Sequence, residues 1–146
     1  MMEFKKYISL EMAEQIHRLT VFHSGGGAYG KIDVGKLDSV LENIQNDDYY
    51  PTCVDKITHL FFCACKFHAF EDGNKRIAIT LPVALLQING YEEIANRFFA
   101  QTENITYHVA SGKISKPLLH EIVEAILNGN YENNIPLLEK VLIAIS

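Results

Sequence analysis

The stretch HAFEDGNKRIAITLPVALLQING, His68–Gly90, decides the fold, because it joins a turn of chemically capable residues to a helix with almost no polar face. Ile77, Ala78, Ile79, Leu81, Leu85 and Leu86 fall on nearly every side of a 3.6-residue spiral, the pattern of a central, buried helix. Asn74 is a good N-cap for it and Gly90 a natural closing residue. Pro82 lies well inside, where it removes one backbone bond and should kink the axis.

The turn ahead of that helix carries the chemistry. His68 is the side chain here whose ordinary titration lies near neutrality, so it can take a proton from a hydroxyl; alone, it reads equally as a hydrogen-bonded structural histidine. Asp72 offers hard carboxylate oxygens of the kind Mg²⁺ takes when substrate phosphates also hold it, or else caps the helix. Gly73 lets the backbone approach a ligand. The N–H groups of Asn74, Lys75 and Arg76 then point at an anion with the helix dipole behind them. Lys75 and Arg76 stand where that dipole disfavours positive charge, a costly placement unless an anion sits there. Phe70 reads as a core anchor that pins the loop.

Working outward, the pattern is helical throughout. Ser9 caps an amphipathic helix with Met12, Ala13, Ile16 and Leu19 on its apolar face, running to about Phe22. His23–Gly30 holds four glycines in eight positions, too many for a regular element. A second helix starts near Asp33, with Leu37, Val40, Leu41 and Ile44 on one face. Pro51-Thr52 opens a third that ends at His68. A fifth spans Glu92–Ser111, a sixth starts at Ser115, and Pro136–Ile145 forms a last one. No stretch alternates with period two, so the fold class is all-α: one domain of six to seven helices, with at most a short hairpin in the glycine-rich loop.

Composition narrows the function classes. With 48% hydrophobic and 21% charged residues the chain is an ordinary globule. Its 13 Lys and Arg against 18 Asp and Glu, a net −5, argue against direct nucleic-acid binding. A local patch of Lys66, Lys75 and Arg76 better matches a nucleotide triphosphate. Three cysteines without paired spacing read as reduced, buried thiols; Cys53, Cys63, Cys65 and His59 fit no usual zinc spacing. No signal peptide or membrane span is apparent, so a cytoplasmic location is expected. Of the other histidines, His17, His23, His59, His108 and His120, only His23 sits beside the glycine-rich loop.

The turn also resembles the signature of the Fic/Doc family, His-x-Phe-x-Asp-Gly-Asn-Lys/Gly-Arg, with a match at every specified position. Gly25–Asp33 and Gly35–Ser39 are similar to the family's glycine-rich loop and the helix start after it. Leu85–Tyr91 is similar to the end of its motif helix. The resemblance implies a helical domain using ATP and Mg²⁺. His68 would be the catalytic base, Asp72 the metal ligand, and Gly73, Asn74, Lys75 and Arg76 the phosphate cradle.

Members that attach AMP usually carry glycine where Lys75 stands and a second arginine at the position of Ile79. Both departures match the death-on-curing branch, which is similar to a protein kinase whose target class is translation elongation factor Tu. Phosphoryl transfer to a protein hydroxyl is therefore the expected reaction, with AMP transfer the alternative and an inactive binding module a further one. Segment Gly26–Asp33 would be a flap pairing with an extended target segment. Full-length relatives often carry an inhibitory Ser/Thr-x-x-x-Glu-Gly/Asn helix. Asp38, Phe99 and Asn128 precede the three Glu-Asn pairs here, so restraint is expected from a separate antitoxin chain.

Overall fold

The computed structural model describes residues 2–23, 30, 34–67 and 74–146. Among them are eight helices and no strand: α1 (Leu10–His23), α2 (Val34–Asn43), α3 (Cys53–Lys66), α4 (Asn74–Ile88), α5 (Glu92–Thr102), α6 (Ile105–Ala110), α7 (Lys116–Asn128) and α8 (Ile135–Ile145). His68–Gly73 and the glycine-rich segments 24–29 and 31–33, with the expected hairpin flap, lie outside the described residues.

The all-round apolar helix is central, as its sequence requires. α4 packs against α3, α5, α1 and α6, and buries Ile77, Ala78, Leu81, Leu85 and Leu86 to 1% exposure or less. Pro82 is buried within it and the helix runs on past, one ladder bond short. Gly90 closes α4 at φ +87: its N–H donates to the Gln87 carbonyl at 3.0 Å, and Tyr91 N–H to Leu86 at 2.9 Å. This left-handed closure is open to glycine at little steric cost.

α3 is the other half of the central pair. Thr52 and Asp55 form a capping box at its start, Thr52 Oγ1 accepting from the Asp55 amide and Asp55 Oδ2 from the Thr52 amide, both at 3.1 Å. Ile57, Leu60 and Phe61 are buried, and the Phe61 ring meets Phe98 of α5 edge-on at 5.8 Å. α7 covers α3 with Leu119, Ile122, Val123 and Ile126.

Three sequence expectations change. The single helix expected over Glu92–Ser111 is two, which brings the count to eight. At the junction, Thr102 Oγ1 donates to the Phe98 carbonyl at 2.7 Å and Thr106 Oγ1 to the Glu103 carbonyl at 3.2 Å. Side-chain hydroxyls thus supply partners that the ladder would have supplied, and the axis turns there. Second, Leu19, placed on the core face of α1, is 59% exposed; Ala13, His17 and Val21 form the buried face. Third, α3 ends at Lys66, with Phe67 extended, two residues before the expected end at His68.

The residues before α1 are built into the structure. Phe4 and Ile8 are buried, and Asn89, beyond the end of α4, binds this segment through its amide. Asn89 Oδ1 accepts from Lys5 and Lys6 N–H at 2.8 and 3.0 Å, and Nδ2 donates to the Lys6 and Leu85 carbonyls at 2.9 and 2.8 Å.

Lys56 is a buried cation on α3. Its Nζ donates to the Ile44 carbonyl at 2.6 Å and to Asp47 Oδ1 at 2.8 Å. Burial works against the charge, but the hydrogen bonds and charges of Asp47 and Tyr7 together outweigh it and raise the Lys56 pKa. Lys56→Met keeps the apolar stem but leaves the Ile44 carbonyl without its donor. Urea unfolding should show a loss of about 1–3 kcal/mol; an unchanged midpoint would mean water replaces the ammonium at no cost.

Candidate active site and the groove beside it

The first turn of α4 is the part of the signature that the structure describes. Asn74 begins the helix and is half-buried, while Lys75 and Arg76 are exposed. Lys75 Nζ lies 5.3 Å from the ring centroid of Tyr107 on α6. No carboxylate of a described residue is within ion-pair distance of Lys75 or Arg76. Two cations therefore stand at the positive end of a 15-residue helix with no acidic partner among the described residues, beside first-turn amides that have no carbonyl partner within the helix. This donor set suits a phosphate chain. His68, Asp72 and Gly73 lie outside the described residues.

Beside Lys75 and Arg76 opens a groove of about 610 Å³. Ile16, Leu19, Thr20 and His23 of α1 form one wall, Ile79, Thr80, Val83, Ala84 and Gln87 of α4 the floor, and Phe99, Glu103 and Thr106 the far wall. The size lies in the range of sites that enclose small molecules or a segment of a partner. Leu19 at 59%, Phe22 at 67% and Phe99 at 51% exposure leave large apolar surfaces in or near it. Sequence reading expected a partner in an apolar groove near the motif but did not identify the groove's walls. Their signal was that α1 carries apolar residues on two flanks, Ala13/Val21 and Ile16/Leu19, more than one core contact needs. His23 does line the groove, and the break between α5 and α6 puts Glu103 and Thr106 there.

Other candidates resolve into structural roles. Cys53, Cys63 and Cys65 are buried and unbridged, and burial pushes the Cys53 thiol up to about 11 and Cys65 to about 12. Among the described residues no three His, Cys, Asp or Glu side chains gather as a metal set. Two histidines read as partnerless have partners. His120 Nε2 pairs with Asp55 Oδ1 at 2.8 Å. His59 stacks on Tyr50 at 4.6 Å, and its Nδ1 accepts from Lys116 Nζ at 2.7 Å.

Burial, helped by the Lys116 charge, lowers the His59 pKa to about 4. The unfolded chain protonates this imidazole near pH 6.5 while the folded chain resists down to about 4, so stability must fall on acidification across that window. His59→Gln should flatten the profile there. Urea midpoints measured from pH 7 to 4 check this, and equal slopes in the two proteins would remove His59 as the cause.

Comparison with known proteins agrees with the geometry. Residues 7–86, spanning α1 to α4 with the signature between them, match the family model described as Fic/DOC family. The chain belongs to the Fic/DOC family. It is 32% identical over 108 residues to a protein named Toxin Doc from Mycolicibacterium smegmatis (strain ATCC 700084 / mc(2)155), a match covering 68% of this chain and 83% of that one. No helix among the described residues is long and apolar enough to cross a membrane.

Proposed function

We propose that this chain is the toxin of a toxin–antitoxin pair, a cytoplasmic enzyme that uses Mg-ATP to transfer a phosphoryl group to a hydroxyl of a target protein resembling translation elongation factor Tu. The observation that carries the reading is the pair of exposed cations, Lys75 and Arg76, at the N-terminus of the buried α4, with no acid among the described residues in ion-pair distance. A phosphate chain laid there meets fixed N–H donors and the helix dipole, and it supplies the charge the two side chains lack. The matching relative's name supports the toxin assignment.

The roles follow from the residue chemistry. His68 takes the proton of the target hydroxyl as its oxygen forms a bond to the terminal phosphorus of ATP. The bond to the bridging oxygen breaks and ADP leaves. Gly73, Asn74, Lys75 and Arg76 cradle the phosphates, Arg76 by a two-pronged contact and Lys75 as a point charge. Asp72 would hold Mg²⁺, which when bound neutralises charge on the phosphate oxygens.

His68→Ala should keep folding and ATP affinity while cutting turnover by about 10²-fold or more. Asp72→Asn should weaken Mg²⁺-dependent nucleotide binding in calorimetry; equal Mg²⁺ dependence returns Asp72 to a capping role. Intact mass of the modified target separates the chemistries: about 80 Da for phosphoryl, about 329 Da for AMP. ATP binding without either gain would make the chain a binding module.

The groove is the natural seat of the antitoxin. A partner helix laid along it would put apolar side chains between α1 and α4 and can bring a carboxylate to Lys75 or Arg76, displacing phosphate. Partner and ATP should then bind antagonistically. Phe99→Asp, at the groove wall away from the cations, should weaken the partner by tenfold or more, about 1.4 kcal/mol, with ATP affinity unchanged. Full inhibition at unaltered nucleotide affinity would mean that the partner blocks the target protein instead.

A further inference from the structure

Six of the described lysines make side-chain contacts with an acid or with an aromatic ring, and Lys56, beside Tyr7, makes both. Lys56 and Lys140 are paired with acids, Asp47 at 2.8 Å and Glu121 at 2.9 Å. Four others rest on aromatic rings with no acid among the described residues in ion-pair distance: Lys36 over Phe67 at 5.5 Å, Lys66 and Lys116 over Phe62 at 5.4 and 5.8 Å, and Lys75 over Tyr107. A cation–π contact holds an ammonium in place without cancelling its charge, whereas an ion pair cancels it. On α2, Asp38 and Glu42 lie two and six residues after Lys36 and so project from other sides of the helix. Lys116 also donates to His59, which is neutral at physiological pH and leaves the positive charge intact.

These four positions converge on one end of the molecule. Phe62, Lys66 and Phe67 are the last turn of α3 and its cap, immediately before the signature turn, and Lys75 is just beyond it. Lys66 Nζ lies 4.0 Å from where a Cβ of Gly112 would stand, which brings the α6–α7 turn to the same edge. A chain of net charge −5 thus keeps a run of ammonium groups, unpaired with any acid among the described residues, from Lys36 through Lys66 to Lys116 beside its candidate site. Like charges gathered without counter-charge repel one another, an arrangement a partner of opposite sign relieves.

We propose that Lys36, Lys66 and Lys116 form a docking rim for an acidic protein surface, which guides the substrate protein's hydroxyl to the signature turn. A protein fits better than a nucleic acid. The rim is three compact lysines in a chain that is otherwise acidic, and the Phe62 and Phe67 rings are covered by ammonium groups instead of being offered for base stacking. What the rim delivers rests on the transferase reading above; its binding of acidic protein does not.

The test compares the wild type, the triple variant Lys36→Ala/Lys66→Ala/Lys116→Ala, and Lys5→Ala/Lys6→Ala/Lys140→Ala, which removes the same charge elsewhere. Fluorescence anisotropy follows a labelled poly-glutamate peptide and an oligouridylate of equal charge, at low and high salt. The wild type and control should bind the peptide in a salt-sensitive way, and the rim variant about tenfold more weakly or not at all. Because Lys116 is half-buried, Lys36→Glu/Lys66→Glu, both at exposed positions, repeats the test with folding checked by circular dichroism. No peptide binding by the wild type, equal loss in the control, or tighter binding of the oligouridylate would each overturn the rim.

Labelling of a cell lysate with ATP carrying the label on the α- or the γ-phosphate is read in parallel. Peptide binding confined to the rim with no labelling by the wild type would leave the rim standing and refute the transferase. Labelling without peptide binding does the reverse.

Discussion

The structure depends on one constraint: α4 is buried on nearly all sides, yet its first turn must stay in water. Ile77 and Ala78, at 1% and 0% exposure, follow directly on two exposed cations, Lys75 and Arg76. The burial of Ile77, Leu81 and Leu85 between α3 and α5 holds the helix axis, and with it the direction of the amides and dipole at its N-terminus. Fixed dipoles of that kind stabilise a charge without the reorganisation that water requires. The stability of the core and the preorganisation of the site are the same contacts.

Neighbouring elements adapt to that helix. α1 uses Ala13 and Val21 toward the core and leaves Ile16 and Leu19 to wall the groove over α4. The α5–α6 break lets Phe98 stay in the core while Glu103 and Thr106 turn to the opposite wall. The groove thus exists because two helices each divide their apolar residues between the core and an open flank. At the start of α3, Asp55 is held by one neighbour in sequence, Thr52, and one distant residue, His120. Burial tends to raise the Asp55 pKa, but hydrogen bonds from Thr52 and His120 outweigh it and hold the carboxyl below its usual value. Only Thr58 Oγ1, Gln101 Oε1 and His108 Nδ1 are buried without a partner among the described residues.

Electrostatics divides the surface by function. Where the chain needs rigidity, cations meet carboxylates, as Lys56 does beneath the α2–α3 connection. Around the signature turn they meet aromatic rings and keep their field. An overall charge of −5 conceals this, because a sum over 146 residues carries no information about which charges are neutralised by neighbours.

The sequence by itself determined the helical class, most helix positions and the burial of α4, and it carries the residue types of the signature turn. These rest on local periodicity, on the Ser115 and Thr52 caps, and on Gly90 and Gly112, all readable within a few residues. Family membership was legible for the same reason, since nine consecutive positions carry the signature. Only the tertiary structure decided which flank of α1 faces the core, where the fifth helix divides, which histidines have partners, and which lysines keep their charge. Apart from the α5–α6 break, each of these depends on a side chain far away in the chain, such as Asp55 for His120 or Phe62 for Lys116. A periodic pattern shows that a face is apolar; which neighbour covers it, or leaves it open as a groove, is settled only when the helices pack.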